Sequence, residues 1–257
     1  MSVKNTHRWR RAAAWTAGII GAVAVGGTVW WQSQLNAIRH LSVSQGTVAT
    51  VFIPGYNSNS WTFSPLIGRF ARYGIGTDAM TINVSGNGRL TITQRAALDR
   101  RNPLINIIFA DARHPEKQTA QLQTIMTTLY QQYHVRRINI VGHSMGGYLA
   151  FRYISQPPAA TQPQVVRYVA IASGGARNNN DFGGFPQKLP VLAIAGDIWN
   201  TGSDWQVPLA SVQHLVKEIP QAQLTVIHGS PLTAYHSALH ENPQVDRRIA
   251  QFLFAAH

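Results

Sequence analysis

The sequence predicts one α/β domain, a mostly parallel sheet flanked by helices, behind a separate N-terminal segment. From residue 47 onward, short runs rich in Val and Ile alternate with amphipathic helical stretches. Several of those runs are apolar without strict alternation, as strands buried on both faces are. The chain is 45% hydrophobic and only 12% charged, enough to fill one large core and too apolar for wholesale disorder. We therefore divide it into residues 1–35, a basic segment and membrane anchor or signal, and residues 36–257, the α/β domain.

The first segment opens with the basic run KNTHRWRR (4–11) and continues through residues 12–31, AAAWTAGIIGAVAVGGTVWW, without a charged side chain. That length matches the roughly 20 residues of a membrane-spanning helix. Basic flanks stay inside, which would deliver the domain to the outside. The stretch is longer than the usual core of a signal peptide and lacks a clear A-x-A cleavage site, so an uncleaved anchor is the first reading and a cleaved signal the second. Trp30 and Trp31 would suit the far interface.

In the domain, strands are expected over 47–54, 78–85, 104–111, 137–142, 165–172, 191–196 and 223–229. Between them Phe63, Leu66, Ile67 and Phe70 share a helical face that ends near Gly74, and Leu122, Ile125, Met126, Leu129 and Tyr133 share another. A last helix is expected from Asn242, with Pro243 just inside it and Val245, Ile249, Phe252 and Leu253 as its buried stripe. Segments 85–103 and 174–186 read as loops at the edge of the sheet.

Composition bounds the chemistry. There is no cysteine, which excludes disulfides, thiol catalysis and cysteine metal sites. The formal charge is +12, and Lys4, Arg8, Arg10, Arg11 and Arg39 place five of those charges in the first forty residues, which contain no acid. The basic residues form no dense run or aromatic-interleaved stripe, so nucleic acid is not expected; an anionic cell-envelope polymer would feel the same field. No H-E-x-x-H or other ligand spacing implies a metal, and no G-x-G-x-x-G after a strand implies a dinucleotide, so no cofactor is expected.

The chemistry-bearing motif is Gly142-His143-Ser144-Met145-Gly146-Gly147, a G-x-S-x-G that follows a strand and opens a helix. In that setting the serine stands on a tight turn at the carboxyl edge of the sheet, where its hydroxyl can act as a nucleophile. The plainer reading is a strand-to-helix turn with Ser144 as a helix cap. His143 reads as a packing residue. In the α/β-hydrolase order of Ser, acid, His, the loop after strand 191–196 offers Asp204 and Asp197; Asp204 is favoured, Asp197 being suited to closing the turn after Gly196. Of the late histidines, His236 lies in a loop free to reach across the sheet edge. His228 ends a strand, His240 abuts the last helix cap and His257 is terminal. An oxyanion would be held by the Met145 N–H and by the Tyr56 N–H of the loop PGYNSNS (54–60).

The segments VFIPGYNSNSWTF (51–63), NIIFAD (106–111), INIVGHSMGGYLA (138–150), GSDWQVPLASV (202–212) and HSALHENPQVDRRIAQFL (236–253) resemble the α/β-hydrolase family of Gram-positive cell-surface proteins catalogued as domain of unknown function 915, close to lipases and esterases. The resemblance covers residues 47–256, with Pro54-Gly55 standing where the family usually has His-Gly. It implies the α/β-hydrolase fold and a triad at Ser144, Asp204 and His236. It also implies a carboxylesterase acting on short acyl esters at the cell surface. A peptidase or thioesterase with the same triad, or a non-catalytic envelope-binding module on the same fold, are the alternatives.

Overall fold

Strand β1, Ala49–Ile53, is buried along its whole length, and the rest of the sheet is laid down on either side of it. The computed structural model describes residues 3–59, 61–157, 159–176 and 179–254; of the side chains of residues 3–12, 14 and 179–181 nothing is said. In chain order the elements are α1 (Val3–Arg39), β1, α2 (Ser64–Arg72), β2 (Thr77–Val84), β3 (Leu90–Gln94), β4 (Pro103–Phe109), α3 (Pro115–Gln131) and β5 (Arg137–His143). There follow α4 (Met145–Ile154), β6 (Gln164–Ile171), a 3-10 turn (Asn179–Gly184), β7 (Val191–Ile198), α5 (Leu209–Glu218), β8 (Ala222–Gly229), α6 (Pro231–Ala234) and α7 (Pro243–Phe254).

The eight strands form one sheet in the order β3-β2-β4-β1-β5-β6-β7-β8. All neighbours are parallel except β2 and β3. Alternation along each strand sends residues to two cores. Val51 and Ile53 pack with Leu122, Ile125, Leu149 and Leu215 beneath α3, α4 and α5. Phe52, Val141 and Ile194 pack on the other face with Leu66, Phe70, Ile249 and Leu253 from α2 and α7.

Two expectations are corrected. Segment 85–103 is not all loop: Ser85 accepts the amide of Gly88 and donates its own to the Arg89 carbonyl, closing a hairpin whose return is β3. Leu90 and Ile92 are only half-buried, so this edge strand lacks the apolar density that revealed the others. In the N-terminal segment the helix is present, but among the described residues no helix is long and apolar enough to cross a membrane. Within its described part Thr16, Thr28 and Gly18, Gly21, Gly26 and Gly27 dilute the Ile and Val residues. The helix runs unbroken past residue 35 and its end belongs to the domain. Leu35 and Ile38 are buried in the core of α2 and α7, and the Ser44 amide donates to the Phe254 carbonyl.

α7 begins as its sequence suggests, the Asn242 side chain accepting the Gln244 amide at 2.8 Å. It is tied to α2 by a buried ion pair. Arg69 Nε and Nη2 donate to Asp246 Oδ2 and Oδ1 at 2.6 and 3.2 Å, and Asp246 has no exposed surface. Burial pushes the Asp246 carboxyl up to about 6, against the pull of Arg69. At pH 8 the carboxylate is charged, and Asp246→Ala leaves the Arg69 guanidinium uncompensated. Urea unfolding at that pH is expected to show a loss of about 3–5 kcal/mol. A loss below about 1 kcal/mol would mean that Arg69 finds another partner, for which Glu241, 3.7 Å away, is placed.

Candidate active site

β5 ends at His143 and α4 starts at Met145, so one residue makes the whole turn. Ser144 does so with φ 53° and ψ −122°, in the left-handed half of backbone space that costs a non-glycine residue about 1–3 kcal/mol. Its amide is fixed to the Ile171 carbonyl of β6 at 2.8 Å, and its carbonyl accepts the Gly147 amide at 3.0 Å. The surrounding glycines are required by space. A Cβ on Gly142 would lie 2.5 Å from the Gly146 carbonyl oxygen, and one on Gly146 would collide with the Ile53 and Pro54 carbonyls. From behind, the buried Tyr168 hydroxyl donates to the Gly147 carbonyl at 2.7 Å. Ser144 thus stands partly exposed at the carboxyl edge of the sheet, and its side chain makes no cap bond to α4.

β7 and β8 deliver a second pair of side chains to the same edge. Asp204, in the loop after β7, is 1% exposed and fully partnered. Its Oδ1 accepts the amides of Gln206 and Val207 at 2.8 and 2.6 Å, and its Oδ2 lies 2.8 Å from His236 Nδ1. The backbone repeats the link, the His236 amide donating to the Asp204 carbonyl at 3.1 Å. Between them Trp205 takes φ 71°, a second strained residue in the site. Asp197 lies elsewhere: its Oδ1 accepts the Gly202 amide at 2.8 Å and its Oδ2 is 3.2 Å from His228, its register partner across β7 and β8.

Ser144, His236, Gly55 and Tyr56 line one cavity of about 380 Å³. Met145, with Ser144, lines an adjoining cleft of about 320 Å³. As the first residue of α4, Met145 has an amide with no carbonyl one turn back within the helix. The Tyr56 loop is held in place by the Asn57 amide, which donates to the Ala112 carbonyl, and by Arg113, which donates to Asn57 Oδ1 at 2.7 and 3.0 Å. The structure therefore brings Ser144, Met145, Tyr56, His236 and Asp204 to one place and leaves Asp197 and His228 outside it. His257 lies outside the described residues.

Three histidines meet behind the cavity. The His143 ring centre is 4.7 Å from that of His236 and 4.8 Å from that of His240. His143 Nε2 is 3.0 Å from the His236 carbonyl; a carbonyl only accepts, so Nε2 carries the hydrogen. Burial, reinforced by the neighbouring His240 and His236, holds His143 well below the usual histidine range and so neutral. His143 packs, as its place in the motif suggested, and it also fixes the main chain of His236. The sequence carried no signal for that bond, nor for the one from Gln206 Nε2 to the Tyr235 hydroxyl at 2.8 Å that braces the Asp204 loop against the His236 loop.

Burial also lowers His240, to about 4, with the positive fields of His236 and Arg69 adding to it. A histidine harder to protonate when folded stabilises the fold fully above its unfolded pKa of 6.5 and loses that contribution as pH falls to 4. From this group alone, stability is expected to drop by about 3 kcal/mol between pH 7 and pH 4. Urea unfolding at both pH values checks this: the drop should shrink by that amount in His240→Gln, and an unchanged drop would dismiss His240 as its source.

A strained serine between strand and helix, above the carboxyl edge of an eight-stranded and mostly parallel sheet, defines the α/β-hydrolase class. The family model described as alpha/beta hydrolase of unknown function (DUF915) matches residues 39–181 and 176–256, and the chain belongs to that family. No curated protein matches it. Among solved structures, a gene product of Listeria innocua is 20% identical with a TM-score of 0.71, over 82% of this chain and 95% of that one. A candidate cell surface hydrolase from Lactobacillus plantarum is 24% identical with a TM-score of 0.65, over 83% and 92%. Both share the fold.

Proposed function

We propose that the protein is a serine carboxylesterase. The observation that carries this reading is the meeting, in one cavity, of the strained Ser144 with the His236 ring that Asp204 orients. In this reading His236 Nε2 takes the Ser144 proton as Oγ attacks the ester carbonyl, and the amides of Met145 and Tyr56 stabilise the resulting oxyanion. The C–O bond to the alcohol breaks, His236 returns the proton to the leaving oxygen, and water hydrolyses the acyl-serine by the same steps in reverse. The chain needs no metal or organic cofactor for this sequence.

Treatment of the full chain with a fluorophosphonate tests the nucleophile, and p-nitrophenyl esters from acetate to palmitate test the reaction. Covalent labelling at Ser144 with turnover of the short esters is the expected result. A folded protein that neither labels nor turns over any ester would leave an envelope-binding module on the same fold. We place the protein at the outer cell surface, attached through α1. The exposed Trp15, Ile19, Ile20 and Val23, apolar side chains that can lie on lipid without crossing it, and the basic flank at 4–11, which an anionic lipid surface attracts, support this attachment. Recovery of the full chain in the soluble fraction of lysed cells, with no salt or detergent needed, would refute that attachment.

A further inference from the structure

We propose that the ester hydrolysed at this site joins a short acyl group to a hydroxyl-rich alcohol, a sugar or another polyol; this rests on the hydrolase reading and names its substrate class. Two clefts meet at Ser144 and Gln206, and they differ in character. The general acid assigns their roles. His236 and its neighbour Ser237 line only the larger cleft, so the leaving oxygen, which must receive a proton from His236, departs into it. The acyl group is left to the smaller cleft, walled by Met145, Ala172, Ala176, Val207 and Pro208. Its roughly 320 Å³ suits a short apolar chain.

The leaving-group cleft is hydrophilic. Asn59, Gln206, Ser237 and Glu241 present amide, hydroxyl and carboxylate groups along it, while an alkyl alcohol would strip their water and return nothing. The Trp61 and Tyr56 side chains, 72% and 61% exposed, also line it and offer apolar faces for the C–H side of a sugar ring.

The test uses the full chain and two primary acetates of similar intrinsic reactivity, methyl glucoside 6-O-acetate and butyl acetate, with released acetate as the readout. The expected result is a kcat/KM at least about tenfold higher for the sugar ester, because polar groups left unpaired by the alkyl alcohol penalise it. Trp61→Ala, checked for folding by circular dichroism, should reduce that preference about two- to tenfold, and an unchanged preference would overturn the ring's part in binding the alcohol. Equal or faster release from butyl acetate overturns the proposal and leaves the esterase reading intact. Release from neither ester also overturns it, and fluorophosphonate labelling then decides the hydrolase reading itself: a labelled Ser144 keeps it, an unlabelled one removes it.

Discussion

Ser144→Ala is expected to lower ester hydrolysis by about 10⁵-fold or more while leaving the fold in place. The methyl group keeps the Cβ, so the backbone at φ 53° is neither relieved nor further strained, and the amide bond to Ile171 persists. What disappears is the one oxygen that His236 could activate. Ser144→Gly should be equally inactive yet more stable, by about 1 kcal/mol in urea unfolding, because glycine occupies this region of backbone space without penalty. The pair of variants separates chemistry from strain. A Ser144→Ala protein keeping more than about a tenth of wild-type turnover would remove Ser144 from the reaction.

Asp204→Asn is expected to reduce kcat by about 10⁴-fold, and the hydrogen bonds around the carboxylate explain why so conservative a change should matter. Asp204 Oδ1 accepts two backbone amides, from Gln206 and Val207. In the asparagine variant only the amide oxygen can occupy that position, so the NH₂ group is forced toward His236 Nδ1. A donor there makes Nδ1 the acceptor and places the ring hydrogen on Nε2. The imidazole then cannot take a proton from Ser144. Asp197→Asn serves as the control, because an asparagine oxygen can still accept the Gly202 amide, and its activity should stay within about threefold of wild type. Equal losses in the two variants would contradict the pairing of Asp204 with His236 as the functional one.

Much of the fold was legible because burial on both faces writes parallel strands as dense runs of Val and Ile. VFI in β1 and INIV in β5 needed no context to be recognised. β3 was not legible for the opposite reason. LTITQ sits at the edge of the sheet, half-buried and paired on one side, and its polar residues resemble those of a loop. The burial of Leu35 and Ile38 at the end of α1 in the core of α2 and α7 was not legible either, because nothing local distinguishes that burial from burial against lipid.

The serine turn could be read from the chain alone, since its demands are local. A strand, a one-residue turn and a helix crossing at close range require small residues at 142, 146 and 147, and the sequence supplies Gly at each. Partner choice was only narrowed that way, to Asp204 ahead of Asp197 and to His236 among the late histidines. Asp197 stands at the end of β7 and Asp204 in the loop that follows, and His228 and His236 flank one short helix. The chain's order allows several pairings, and the choice between them is made across space. Parallel register sets Asp197 beside His228, while the turn closed by the Gln206 and Val207 amides points Asp204 at His236. The meeting of His143 with His236 and His240, 93 and more residues further along the chain, was likewise decided only when β5 and the loop after β8 reached the same sheet edge. The sequence determined the elements and the serine's strained turn because these depend on neighbours in the chain; the tertiary structure alone decided which distant side chains share a hydrogen bond.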